Sequence, residues 1–220
     1  MKILERFNIK PNNKELYEQA FSHSSYCNEH NIKDNYERLE FLGDAVIDLI
    51  ISEYLYRNKN LKEGEMTKLR ASYVCEDALY EYARNLDFSH YIKVGKGEES
   101  SGGKHKKAIL SDTFESFVGA LYLDQGINKV KQFINETVIP LIEDDESNFF
   151  VDYKSLLQES VSANQNLIEY KLVKQRGPSH NKKFTIIVKV GGQKLGIGTA
   201  SSKKRAEQKA AKDALTKKVK

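Results

Sequence analysis

Residues 37 to 47 read ERLEFLGDAVI. Apolar residues recur at helical spacing, at Leu39, Leu42 and Val46 and onward to Leu49 and Ile50, so the stretch is a helix. Carboxylates interrupt it at Glu37, Glu40 and Asp44. At about 100° per residue these three fall within about 60° of one another, on a single face. A helix this apolar on its other sides is expected to be largely enclosed by protein. Enclosed carboxylates must then be protonated, paired with cations or bound to metal.

A second acidic pair stands in SDTFESFVGALYLDQG, residues 111 to 126, where Asp112 and Glu115 share a face of another apolar helix. Two such helices can converge on four oxygen ligands, Glu40, Asp44, Asp112 and Glu115. Hard carboxylates without His or Cys select Mg²⁺, with Mn²⁺ as a substitute, and those ions suit phosphate chemistry. Either pair alone also fits a solvated helix face with a partner such as Arg38; two pairs on helices this apolar favour a shared site. Glu63 in LKEGEMTKLRA is either a further acid of the site or a loop residue.

Outward from these helices, apolar residues at helical spacing predict helices over 16–25, 35–56, 66–86, 108–123 and 130–141. Breakers separate them at KEGE (62–65), at GKGEESSGGKHKK (95–107), expected to be a mobile exposed loop, and at DQG (124–126), where Gly126 ends a helix. This is an all-α domain over residues 1–146, with a linker at 147–151 whose Phe149, Phe150 and Val151 could dock on one of the domains. The pattern then changes. A helix over 152–163, strands over 168–175, 184–190 and 194–199, and a Lys- and Ala-rich helix over 202–219 make a small α+β module of order α-β-β-β-α, residues 152–220. VGGQK is short enough for a hairpin between the last two strands.

Net charge is +4 over 220 residues, but it is unevenly placed. From Asp152 onward 16 Lys and Arg face 5 Asp and Glu, a net +11, whereas the preceding part holds 19 against 26, a net −7. A basic half of this kind faces a polyanion. Ser201 and Ser202 are good N-caps, yet Lys203, Lys204 and Arg205 follow at once, opposing the helix dipole. A phosphate backbone at that helix start offsets the cost. Gln158 and Glu159 on a polar helix face, His180 and Lys182 in a loop and the basic helix start give separated contacts, which suit a duplex better than a stacking platform for single strands. Tyr170 and Phe184 are expected in the core.

Cys27 and Cys75 form no C-x-x-C pair, and the five histidines have no zinc spacing, so reduced thiols and no soft-metal site are expected. No apolar run approaches the length of a membrane span, and the N-terminus lacks a signal-peptide pattern, so a soluble cytoplasmic protein is expected.

ERLEFLGDAV and SDTFESFVGALYLDQG resemble the two acidic signatures of ribonuclease III. DYKSLLQE, GPSHNKKF and SSKKRAEQKAA resemble the double-stranded-RNA-binding domain that follows the nuclease domain in bacterial members. The resemblance implies a Mg²⁺-dependent endonuclease that cuts double-stranded RNA, leaving 5′-phosphates, 3′-hydroxyls and short 3′ overhangs, and acting in processing of ribosomal, messenger and transfer RNA. It implies metal ligation by Glu40, Asp44, Asp112 and Glu115, catalytic roles for Asp44 and Glu115, and auxiliary positions for Glu37 and Glu63 along the active-site valley. It further implies RNA contacts by Gln158, Glu159, His180, Lys203, Lys204 and Arg205, and a homodimer of nuclease domains. Two-fold symmetry would supply two sites of opposite polarity, one for each strand of a duplex. Ser111 departs from the small apolar residue common before the second Asp and leaves the acids in place. Two other readings stay open: a non-catalytic RNA-binding regulator, which would be expected to have lost one of the acids, and a DNA hydrolase, which a reader of A-form shape disfavours.

Overall fold

The structure is a computed structural model that describes residues 1–143, 153–162, 167–177 and 182–218. The expected linker and the segment Phe149 to Val151 lie outside the described residues. The chain divides into two compact units, Met1–Glu143 and Asp144–Lys220.

In the first unit the helices are α1 (Lys2–Arg6), α2 (Lys14–Ala20), α3 (Ser24–His30), α4 (Glu37–Asn58), α5 (Glu63–Tyr73), α6 (Glu76–Asn85), α7 (Lys96–Ser100), α8 (Lys107–Gln125), α9 (Ile127–Thr137) and α10 (Ile139–Glu143). Helix α8 is the axis, contacted by α2, α4, α6 and α9. It is apolar over much of its circumference because it is surrounded, with Ile109, Leu110, Phe114, Phe117, Val118 and Leu121 buried. Aromatic rings from several elements meet around it, from Phe7 on Phe133 at 5.0 Å to Phe114 on Phe133 at 6.2 Å between centroids, tilted or edge-on as ring quadrupoles prefer. Gly126 ends α8 at φ 77°, as its sequence context predicts.

The crossing of α4 and α8 is unusually close. A Cβ on Gly43 would lie 1.8 Å from the Glu115 carbonyl oxygen, and one on Gly119 would lie 2.2 Å from that of Leu39. Only glycine fits at either position, so each backbone packs directly on the other.

Several expectations are corrected. The helices expected over 16–25 and 130–141 are each interrupted, at residues 21–23 between α2 and α3 and at Val138 between α9 and α10. The helix expected over 66–86 is two helices, because Val74 and Cys75 leave helical geometry and the Cys75 carbonyl starts α6 by accepting from Ala78 and Leu79. KEGE is no break between helices, since Glu63 and Gly64 already form the first turn of α5, where the Glu65 carboxylate accepts from the Lys62 amide. Residues 95–107 are folded, not an irregular loop: α7 and a 3₁₀ turn at Gly103–His105 are joined by Lys104–Glu99 at 2.5 Å and Lys106–Glu98 at 2.6 Å. Gly102, at φ 77°, makes the reversal between them.

The second unit is α11 (Tyr153–Ser162), β1 (Ile168–Arg176), β2 (Lys183–Val190), β3 (Gln193–Ala200) and α12 (Lys203–Lys218). The strands form an antiparallel sheet in the order β1-β2-β3. Gly191 and Gly192, at φ 56° and 82°, make the two-residue turn between β2 and β3. Val188 and Val190 of the sheet pack against Leu157 and Val161 of α11 and Ala210, Ala211 and Ala214 of α12, with Tyr170 partly buried beside them. Small residues again set the spacing, since a Cβ on Gly196 would lie 2.2 Å from the Ala210 carbonyl oxygen. The Asp213 carboxylate accepts from the Ile197 amide at 2.9 Å, fixing α12 on β3.

Among the described residues no helix is long and apolar enough to cross a membrane, and Cys27 and Cys75 are both free thiols.

Gly43→Ala is expected to destabilise the helical unit by about 1–3 kcal/mol or more, because backbone on backbone cannot yield as a side chain can. Thermal melting of the full chain checks this; a melt unchanged from that of the natural sequence would show that the crossing tolerates a methyl group.

Candidate active site

Helix α4 begins at Tyr36, whose carbonyl accepts from the amides of Leu39 and Glu40, both at 2.9 Å. The Asn35 side chain accepts from the Glu37 amide at 3.0 Å. Glu37 and Glu40 lie in the first turn, where negative charge complements the helix dipole. The glycine crossing then lays this face of α4 beside Asp112 and Glu115 of α8. Glu40, Asp112 and Glu115 each bring one carboxylate oxygen to a common point, all within 4.8 Å of one another, and all three residues are half-buried. Asp44, the fourth predicted ligand, is exposed and stands outside this set, near enough to act on Glu40 and Glu115 through its charge.

The electrostatics are uniformly unfavourable to charge. Burial pushes the Glu115 carboxyl up to about 8, helped by Asp44, Glu40, Asp112 and Asp48. Burial pushes Glu40 up to about 7, with Asp112, Glu37 and Asp44 adding to it. Asp44 is raised by burial and by Asp48. Asp112 is raised mainly by burial, against which hydrogen bonds from Tyr36 and Ser111 work. Three half-buried hard oxygen donors, short of positive charge, fit a small divalent cation.

Other predicted residues fall elsewhere. Glu37 is exposed and acts on Glu40 by charge alone. Glu63, in the first turn of α5, accepts from the Thr67 hydroxyl at 3.0 Å and lines a groove with Ser52, Tyr56, Met66 and Arg70, outside the three-carboxylate set. In the second unit Gln158 and Glu159 are exposed on α11. Ser202 caps α12, its hydroxyl accepting from the Arg205 amide at 3.3 Å. Lys203 and Lys204 are exposed in the first turn, and the Arg205 guanidinium donates to the Ser201 hydroxyl at 3.3 Å. His180 lies outside the described residues.

Sequence reasoning missed Tyr36 and the two glycines of the crossing, and it read Asp48 as a structural continuation of the acid stripe. Tyr36 donates its phenol O–H to Asp112 Oδ2 at 3.2 Å, and nothing in its spacing marks it apart from its place just before the motif. Gly43 and Gly119 were visible as glycines inside two apolar helices, where they weaken a helix unless something must come close. Asp48, one turn beyond Asp44, keeps one buried carboxylate oxygen without a hydrogen-bond partner and adds its charge to Asp44 and Glu115. Helix α4 is also less enclosed than its composition suggests. Phe41 is 82% exposed, Leu49 59% and Tyr56 78%, an apolar stripe left open by the described residues of the helical unit.

Acids gathered at one helix crossing, in a chain whose other unit presents cations at a helix start, define a nuclease coupled to a nucleic-acid-binding module. The sequence comparisons give that class its family. The family described as Ribonuclease-III-like matches residues 13–142, and the double-stranded RNA binding motif matches residues 153–218. Ribonuclease 3 of Oceanobacillus iheyensis is 50% identical over 96% of this chain and 94% of its own length. Ribonuclease 3 of Listeria welshimeri is 52% identical over 91% of this chain and 90% of its own. A solved nuclease domain of ribonuclease III from Campylobacter jejuni superposes with a TM-score of 0.59 at 35% identity, covering 63% of this chain and 95% of that one. The chain belongs to the ribonuclease III family and is an endoribonuclease specific for double-stranded RNA. Divalent-cation chemistry comes with that family, and the donor set at the crossing fits it.

The raised carboxyls make a prediction about pH. A folded-state pKa above the unfolded value means that the native state holds extra protons, so this contribution to stability is complete below the ordinary glutamate range and is lost as pH rises through about 7 to 8. Without divalent cation the melting temperature should therefore fall from about pH 6 to about pH 8.5 more steeply than in Glu115→Gln, and added Mn²⁺ should raise it more at the higher pH. Parallel pH profiles for the two proteins would contradict the repulsive cluster.

Proposed function

We propose that the chain is a Mg²⁺-dependent, homodimeric nuclease that cuts both strands of double-stranded RNA, leaving 5′-phosphates, 3′-hydroxyls and short 3′ overhangs. The observation that carries this reading is the convergence of Glu40, Asp112 and Glu115 from two crossing helices, in a chain that also has a duplex-RNA-binding motif. These three would hold the cation, with Asp44 at its rim. A divalent cation bound there supplies Lewis-acid activation of water and stabilises charge on the leaving 3′ oxygen. Glu115 is raised furthest by burial and meets the most carboxylates, so it is the group best placed to hold a water proton at its carboxylate oxygen. Asp44 shares the catalytic role from the rim.

Glu37 and Glu63 shape the valley beside this site. Gln158 and Glu159 read a minor groove, His180 the next one, and Lys203, Lys204 and Arg205 clamp phosphates between them. The domain boundaries proposed are residues 1–146 and 152–220 with the linker between. Natural substrates are precursors of ribosomal RNA and some messenger and transfer RNAs, and the compartment is the cytoplasm. The homodimer is supported by the exposed apolar residues Phe41, Leu49 and Tyr56 on α4, and by the Campylobacter jejuni nuclease domain, whose structure is described in terms of a region involved in dimer formation.

Two outcomes test this reading. Glu115→Gln should abolish Mg²⁺-dependent cleavage of long duplex RNA while leaving duplex binding intact; cleavage at the natural rate would sink the assignment. Phe41→Glu should shift the chain from dimer to monomer in sedimentation, and a dimer that persists unchanged would place the interface elsewhere.

A further inference from the structure

Tyr36 is only 4% exposed, yet its phenol oxygen reaches Asp112 Oδ2 at 3.2 Å. The other oxygen of Asp112 has a weaker claim on a donor. Ser111 Oγ lies 3.3 Å from Asp112 Oδ1 and 2.8 Å from the Ala108 carbonyl, so its single hydrogen is shared between two acceptors, the carbonyl being the nearer. Tyr36 is therefore the principal side chain that fixes the Asp112 carboxylate.

The same residue holds the opposite wall. Its carbonyl accepts from the Glu40 amide at 2.9 Å, and its own amide donates to the Ser22 carbonyl at 3.1 Å. The ring is braced edge-on by His23, with 5.6 Å between centroids. His23 is itself pinned, since its Nδ1 accepts from the Ser25 amide at 3.1 Å, and the Ser25 hydroxyl accepts from the Gly95 amide at 2.9 Å. One rigid residue thus touches Asp112 through its side chain and Glu40 through its backbone, across the gap that the cation has to fill.

We propose that Tyr36 is the positioning residue of the metal site: a strut that sets the Asp112 rotamer and its distance from Glu40, leaving the remaining lone pairs of Asp112 turned to the cation. Groups that orient a metal ligand by hydrogen bonding typically change metal affinity or activity by about 10–100-fold when removed. The inference rests on the metal reading given above.

The test is Tyr36→Phe in the full chain, which keeps the ring, the burial and the backbone contacts. Mn²⁺ binding without RNA is followed by loss of the free-ion paramagnetic resonance signal at fixed pH. Tyr36→Phe is expected to weaken Mn²⁺ about tenfold, to leave cation-free duplex binding unchanged, and to recover cleavage at saturating Mn²⁺. In an Asp112→Asn background the substitution should have no further effect on Mn²⁺ affinity. Equal Mn²⁺ affinity in Tyr36→Phe and the natural sequence overturns the strut, as does a further loss of Mn²⁺ affinity when Tyr36→Phe is added to Asp112→Asn. Mn²⁺ binding by the natural chain that is lost in Glu115→Gln upholds the metal reading whatever Tyr36 does. Absence of Mn²⁺ binding in the natural chain removes both.

Discussion

The contact on which the site depends is the backbone-to-backbone crossing of α4 and α8 at Gly43 and Gly119. A side chain longer than hydrogen at either position would drive the helices apart and carry the carboxylates with them. Glu40 lies three residues before Gly43, and Asp112 and Glu115 lie within two turns of Gly119, so the acids stand directly at the crossing. Glycine weakens a helix, and here two long helices carry that cost because close approach is what assembles the site.

The crossing gathers like charges that would otherwise separate. Burial and mutual repulsion raise Glu40 and Glu115 toward neutrality, and the packed core beneath them keeps the cluster from relaxing by moving apart. Function and stability therefore pull in opposite directions at these residues until a cation is bound, a common arrangement at active sites. Tyr36 belongs to both sides of this balance, since it starts the helix bearing Glu40 and donates to Asp112.

The second unit uses the same device for another purpose. Gly196 and Gly198 let α12 lie against β3 through its alanines, which aims the capped, cationic start of α12 from the end of the sheet. Cations at a helix N-terminus are unfavourable within the protein alone, and a polyanion in contact with them reverses the sign.

Periodicity in the sequence determined the all-α first part, the α-β-β-β-α second part and the faces that carry Glu40, Asp44, Asp112 and Glu115, because local spacing alone dictates which side of an element a residue occupies. Turn chemistry fixed the hairpin at Gly191 and Gly192 and the stop at Gly126. The break at Val74 and Cys75 and the folded segment at 95–107 were not legible, since each is held by hydrogen bonds or ion pairs whose geometry no apolar pattern encodes. Nor could spacing say that three acids would meet while Asp44 stayed at the rim, that Phe41 would face outward, or that Tyr36 would reach across to Asp112. Those are distances between residues far apart in the chain, and they are set by how closely two helices pack, which only the tertiary structure decides.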